Sequence, residues 1–196
     1  MIAIMSDAIL ALFDGGQTLA LEPGQPLFLT GDKVRSMFLL IDGRVDLVRH
    51  TNSGVPLILN RVHPGGVPAE ASAFSEAYHC DGIAQSQSRL KFIPVSVFHR
   101  QLHRSPETAM SWAAHLAHTL QKARMQCEIR SLKTVSERLD AWLSDGHALP
   151  PKGQIQTLAH VLGVSREALY RELSRRRRFG AAALLDQQGS RTGRAD

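Results

Sequence analysis

"LAHVLGVSREALYREL", residues 158–173, is the stretch that decides the fold. Ile155, Leu158, Ala159 and Leu162 recur at i, i+3, i+4 and i+7, which makes one apolar helical face. Gly163 supplies a tight turn, Ser165 caps a new helix, and Leu169 and Leu173 continue the apolar face. The Ala-x-x-x-Gly-x-Ser spacing of Ala159, Gly163 and Ser165 predicts a helix-turn-helix, because generic packing of two helices does not require it. The second helix would expose Arg166, Glu167, Tyr170, Arg171 and Ser174.

The charge around this stretch agrees with that expectation. The chain has 196 residues, a formal charge of +5 and a pI near 9.7. Arg166, Arg171, Arg175, Arg176, Arg177, Arg178, Arg191 and Arg194 crowd its last part, and the first hundred residues have nothing similar. A basic patch confined to one end points to nucleic acid. A solvated tail accounts for Arg191 and Arg194, but not for arginines interleaved with a helical apolar pattern.

Upstream, Ser105-Pro106-Glu107 is a helix start, with Ser at the N-cap and Pro at the first helical position. No breaker follows until about Leu132. Ala113, Leu116, Leu120, Ala123 and Cys127 alternate spacings of three and four, a coiled-coil seam that predicts a parallel homodimer. The competing expectation is a helix lying on its own sheet. A further helix, "VSERLDAWLS", links this segment to the helix-turn-helix.

From about residue 18 to 100 the pattern is short apolar runs, such as "PLFLT", "SMFLLIDG" and "VDLVRH", divided by Gly, Pro, Asp and Asn. "LIDGRVDLV" reads as a hairpin about Asp42-Gly43. Such spacing predicts a sandwich or small barrel. The fold class expected is α+β: an N-terminal antiparallel, jelly-roll-like β-roll over 1–104, a long dimerisation helix over 105–132, and a winged-helix-like helix-turn-helix domain over 133–196 with a short tail expected to be partly disordered.

No apolar run approaches the roughly 20 residues of a membrane span. The start, "MIAIMSDAILALFDGG", carries Asp7 and lacks a basic region, so it reads as a short amphipathic helix in a cytoplasmic protein. Two cysteines make no disulfide framework, and in the cytosol both are expected to be reduced.

The order of segments resembles the CRP/FNR superfamily of bacterial transcription regulators. The likeness spans about residues 18–180, through "PGQPLFLTGD", "MFLLIDGRVDL" and the Ser-Arg-Glu-x-x-x-Arg of Ser165, Arg166, Glu167 and Arg171. It implies a homodimer whose effector binds between roll and long helix and reorients the DNA-binding domains. The partners implied are double-stranded DNA with an inverted repeat and, for an activator, RNA polymerase; no membrane is involved. Ser165, Arg166, Glu167, Tyr170 and Arg171 would read DNA, with Arg175 and Arg177 on phosphates. The tail "FGAAALLDQQGSRTGRAD" resembles the usual β-hairpin wing only weakly.

The effector region departs from the family's cyclic-nucleotide binders, which resemble a Gly-Glu-x-(Gly/Ala)-Leu … Arg-Ser signature. "PAEASAF" keeps Glu70, but "YHCDG" puts Cys80 and Asp81 where Arg-Ser would fall. A phosphate facing Asp81 without its arginine would be poorly held. The cysteine cluster of the iron–sulfur branch is absent from the N-terminus. By register on the family pattern, Cys127 of the long helix lies beside the same pocket as Cys80. Glu70, His79, Cys80, Asp81 and Cys127 are therefore the expected effector residues. Cys80, Cys127 and His79 suit a soft metal such as Cu(I), which needs only two or three soft ligands. Reversible thiol oxidation, haem, a roll with no effector, and two cysteines that are simply buried hydrophobes are the alternatives. No Ser-His-Asp set, phosphate-cradling loop, paired carboxylates or cupin-like histidine cluster stands out, so no enzyme is expected.

Overall fold

The computed structural model describes residues 7–51, 53–151 and 155–189. Residues 190–196, with Arg191 and Arg194 of the expected tail, and the first six residues of the expected N-terminal helix lie outside the described residues. The chain divides into two compact units, residues 2–119 and residues 120–196. Among the described residues no helix is long and apolar enough to cross a membrane.

The first unit is the roll. After α1 (Asp7–Ala11) come β1 (Gln17–Leu21), β2 (Pro26–Phe28), β3 (Ser36–Asp42), β4 (Val45–His50) and β5 (Pro56–Val62), a 3-10 helix (Glu70–Phe74), then β6 (Asp81–Ala84) and β7 (Ser88–Pro94). The strands make two antiparallel sheets, ordered β1-β7-β3 and β2-β6-β4-β5. Phe38, Leu40, Val45, Leu47 and Leu90 belong to one buried cluster of the roll. Met37 and Leu39 belong to a second, with α1, Phe98 and Trp112. Alternate residues of β3 thus bury on opposite faces, which is why its sequence is a continuous apolar run rather than an alternating one.

The turn after β3 corrects the hairpin expectation. Gly43 does turn with φ +91, but β3 pairs with β7 while β4 pairs with β5 and β6. The chain changes sheets here instead of folding back on itself. Ser88, the first residue of β7, clasps the corner: its Oγ accepts from Arg44 N (3.2 Å) and donates to Arg44 O (3.3 Å).

Two helices complete the unit: α2 (Val95–Arg104) and the start of α3 (Pro106–Ser131). Ser105 caps α3 as expected, its Oγ accepting from Thr108 N at 3.2 Å. Trp112 packs edge-on to Phe98 at 4.9 Å, with Leu116 against the same cluster. Leu116 therefore belongs to the roll's own core and not to an outward seam. The exposed stripe of α3 runs instead through Met110, Ala113, Ala117, Leu120 and Cys127, with Met110 70% and Leu120 51% exposed. One face of this helix thus lies on its own unit, and another is left apolar and bare.

The second unit contains the last turns of α3, then α4 (Val135–Ser144), α5 (Ile155–Leu162) and α6 (Arg166–Gly189). A capping box starts α4: Thr134 Oγ1 accepts from Glu137 N, and the Glu137 carboxylate accepts from Thr134 N. Leu139, Leu158, Leu162 and Leu169, all essentially buried with Ile129 and Ile155, form the core. Each fully buried leucine contributes roughly 1.5–3 kcal/mol. Because α6 continues to Gly189, no strand follows it among the described residues, where the resemblance would start a wing.

Candidate functional site

The turn between α5 and α6 has the geometry its sequence implies. Gly163 sits at φ +64, in the left-handed region, and Val164 N donates to Ala159 O at 3.0 Å. Two arginines hold the carbonyls that end α5. Arg138 Nη1 donates to Leu162 O (3.1 Å) and Gly163 O (2.9 Å), and Arg130 Nη2 to His160 O (3.0 Å). Neither role was foreseeable from the motif, because both donors come from other helices.

Ser165 caps α6, its Oγ accepting from Ala168 N at 3.1 Å. Arg166 lies over the Tyr170 ring, 5.4 Å from its centroid. The Glu167 carboxyl is held below its ordinary pKa, first by its own backbone N–H and then by Ser165 and Arg166, so it also serves the helix start. Arg171 is exposed. These residues share the bare side of α6, and Leu169 and Leu173 fill its core side.

The arginine run behaves differently. Glu172, 9% exposed, accepts from Arg175 Nη2 (2.7 Å), Arg175 Nε (2.8 Å) and Arg176 Nε (2.7 Å). Arg176 Nη1 also meets Asp140 at 2.7 Å, and its Nη2 donates to Ser136 O at 3.1 Å. Arg175, expected on phosphate, is thus engaged within the chain. Glu172 was missed in the sequence, although its i+3 and i+4 arginines were a readable signal.

In the roll, the 3-10 helix starts at Ala69, a non-glycine at φ +54. Burial pushes the Glu70 carboxyl above its ordinary pKa. Ser72 is wholly buried, and its Oγ lies 3.5 Å from His79 Nδ1. His79 itself is exposed, and its carbonyl accepts from Arg49 Nε at 3.3 Å. Cys80 is 1% exposed, inside the roll's core cluster. Burial raises its thiol pKa and outweighs the opposing charge of Arg49. Asp81 accepts from Thr30 N (2.7 Å) and Thr30 Oγ1 (2.8 Å) and faces His50 Nδ1 at 3.4 Å. Thr30 above all holds the Asp81 carboxyl below its ordinary pKa, which keeps it ionised.

Glu70, Cys80 and Asp81 are thus near one another, around Arg49, whose charge and theirs all act on the thiol. Cys127 is exposed on the part of α3 that belongs to the second unit. Among the described residues no group of three or more His, Cys, Asp and Glu is arranged to hold a metal ion. Arg49 and Ser72 were missed by sequence reasoning; nothing in their local sequence marks them.

Two antiparallel sheets and the 3-10 helix that carries Glu70 make up the roll. Residues 18–105 match the family model of the cyclic nucleotide-binding domain. A cyclic AMP receptor protein of Thermus thermophilus is 28% identical over 155 residues, spanning 76% of this chain and 72% of that one. A putative cAMP-binding regulatory protein of Silicibacter pomeroyi, known as a structure, is 27% identical with a TM-score of 0.56, over 84% of this chain and 77% of that one. The structure of FixK2 from Bradyrhizobium japonicum shares the fold at a TM-score of 0.65 and 16% identity, over 84% and 86% of the two chains. The chain is thus similar to the cyclic nucleotide-binding domain over residues 18–105 and to a cyclic AMP receptor protein over most of its length.

Proposed function

We propose that the chain is a homodimeric, sequence-specific DNA-binding regulator whose α6 enters the major groove. The observation that carries this reading is one exposed helical face, begun by the Ser165 cap, that presents Arg166, Tyr170 and Arg171 together. Arg donates two hydrogen bonds to guanine O6 and N7, so Arg166 and Arg171 suit a G·C-containing half-site. Glu167, now serving the cap, would have to turn outward to accept from cytosine N4. The bare stripe of Met110, Ala113, Ala117 and Leu120 supports a dimer through α3, and a two-fold dimer needs an inverted repeat with half-sites about one helical turn apart.

The effector acts at the roll segment from Glu70 to Asp81 and is not a cyclic nucleotide. The ionised Asp81, locked to Thr30, supports this, because it would repel a phosphate in that place. The effector is a soft metal such as Cu(I), or a thiol-redox signal, at Cys80 of the roll. The support is chemical: a soft thiol in the roll, with the Arg49 charge favouring its thiolate against burial.

One preparation tests both parts. Reduced protein should sediment as a dimer at micromolar concentration and select an inverted repeat from random duplex DNA. It should take up about one Cu(I) per subunit, lost in Cys80→Ser. A monomer that selects no sequence would overturn the regulator reading. Identical metal content in Cys80→Ser, with DNA binding indifferent to both metal and peroxide, would overturn the effector reading alone.

A further inference from the structure

The four consecutive arginines, Arg175 to Arg178, look equivalent in the sequence. Their geometry divides them. The α-helix turns about 100° per residue, so Arg166, Tyr170, Ser174, Glu167 and Arg171 cover an arc of about 140°. On that scale Arg177 falls about 20° and Arg178 about 120° from Arg166, inside the same arc, while Arg176 falls near about 280°, on the side of Leu169 and Leu173. The contacts follow that division. Arg176 gives hydrogen bonds to Glu172, Asp140 and Ser136, and Arg175 makes a two-bond pair with Glu172. Arg177 and Arg178 are exposed, and among the described residues neither pairs with a carboxylate.

We propose that Arg177 and Arg178 are the phosphate-contacting members of the run, and that Arg175 and Arg176 are positioning residues that fix α6 on α4 through Glu172, Ser136 and Asp140. This division rests on the DNA-binding reading. A phosphate could recruit Arg175 and Arg176 only by stripping both partners from Glu172, a carboxylate that is 9% exposed. The run therefore adds two backbone contacts rather than four. Arg177 and Arg178 extend the base-reading face toward its C-terminal end, where flanking phosphates would meet it.

The test is the salt dependence of affinity, measured by fluorescence anisotropy with the full chain and a random-sequence 30-base-pair duplex. Each lost phosphate contact flattens the log–log slope by about 0.9, so the affinity loss between 50 and 200 mM salt shrinks roughly three- to fourfold. Arg177→Gln and Arg178→Gln should each do this with an unchanged melting temperature. Arg175→Gln and Arg176→Gln should leave the slope alone and lower the melting temperature. If either of these fails to fold, that is the structural outcome, and the Arg177→Gln and Arg178→Gln slopes still decide. Slopes equal to wild type in those two variants would overturn the division, as would flattening by Arg175→Gln or Arg176→Gln with melting unchanged. Wild-type protein that bound no duplex at any salt would sink the DNA-binding reading instead.

Discussion

The roll segment from Glu70 to Asp81 and the helical segment from Ser165 to Arg178 are both short and rich in reactive side chains, yet the fold arranges them by opposite means. On α6, neighbours in sequence are sorted by the helix's own period, and each has an orienting partner three or four residues away: Tyr170 for Arg166, Glu172 for Arg175 and Arg176, to which α4 adds Asp140 for Arg176. In the roll, neighbours are driven apart. His79 is exposed, Cys80 beside it is 1% exposed, and Asp81 is turned to Thr30, 51 positions away in sequence. One site is written locally and the other by strand register.

Glycine tests that contrast most severely, because the same substitution can be made at one turn in each region. At Gly43, with φ +91, a Cβ would run into Ser88 Oγ and the Gln87 carbonyl, and backbone cannot step aside. Gly43→Ala should therefore cost about 3 kcal/mol, combining backbone strain and overpacking. At Gly163, with φ +64, the Cβ would meet only the Arg130 side chain, Cγ at 3.1 Å and Nε at 3.3 Å, and no backbone. Gly163→Ala should cost about 1–2 kcal/mol, the left-handed penalty alone. Urea unfolding followed at Trp112 for the roll and Trp142 for the helical unit would check both. Equal losses would break the comparison.

The same turn explains why the roll was harder to read from sequence. Asp42-Gly43 does mark a tight turn, but a run buried on both faces, like Met37 to Leu40, gives no alternation to say which sheet each strand joins. On α3 the difficulty is the reverse. Spacings of three and four fit both the inward stripe through Trp112 and Leu116 and the outward one through Ala113 and Leu120, and only packing separates them. The Ala159, Gly163 and Ser165 turn was legible because everything it needs lies within seven consecutive positions. Arg49 was not, since its place beside Cys80 depends on how β4 and β6 pair.

Acid separates the two regions with opposite signs. Glu172 has its pKa lowered from 4.5 to about 2, first by the Arg175 hydrogen bond, so its stabilisation is present above 4.5 and lost as pH falls toward 2. Glu70 is shifted the other way by burial. Its contribution is complete below the ordinary glutamate pKa and fades as pH rises through its raised folded value. Thermal melts between neutral pH and about pH 2.5 should show Glu172→Gln removing part of the acid loss, whereas Glu70→Gln should gain relative stability toward neutral pH. A Glu172→Gln protein with the wild-type acid profile would show that the buried pair does not anchor α6.

The smallest effect concerns how finely α6 is tuned. Tyr170 is partly buried against the helical core, so its ring is a fixed surface, and Arg166 lies across it one turn earlier. A guanidinium braced in this way loses fewer conformations when it meets a guanine edge, whereas an unbraced one must be ordered by the base itself. Exposed cation–π contacts contribute about 0.5–1 kcal/mol, so Tyr170→Ala should cost about two- to fivefold in discrimination at the base pair that Arg166 reads. Tyr170→Phe keeps the aromatic face and should keep the preference. Among the described residues Arg171 has no such brace, and its base pair should be selected as strongly in Tyr170→Ala as in wild type. Binding-site selection with the three proteins resolves the positions separately. If Tyr170→Ala weakened every sequence alike, or if Tyr170→Phe behaved like Tyr170→Ala, the ring would be acting through packing or its hydroxyl and not by aiming Arg166. The sharp form of the comparison would then fail, because the base-reading face of α6 too would depend on contacts beyond its own local period.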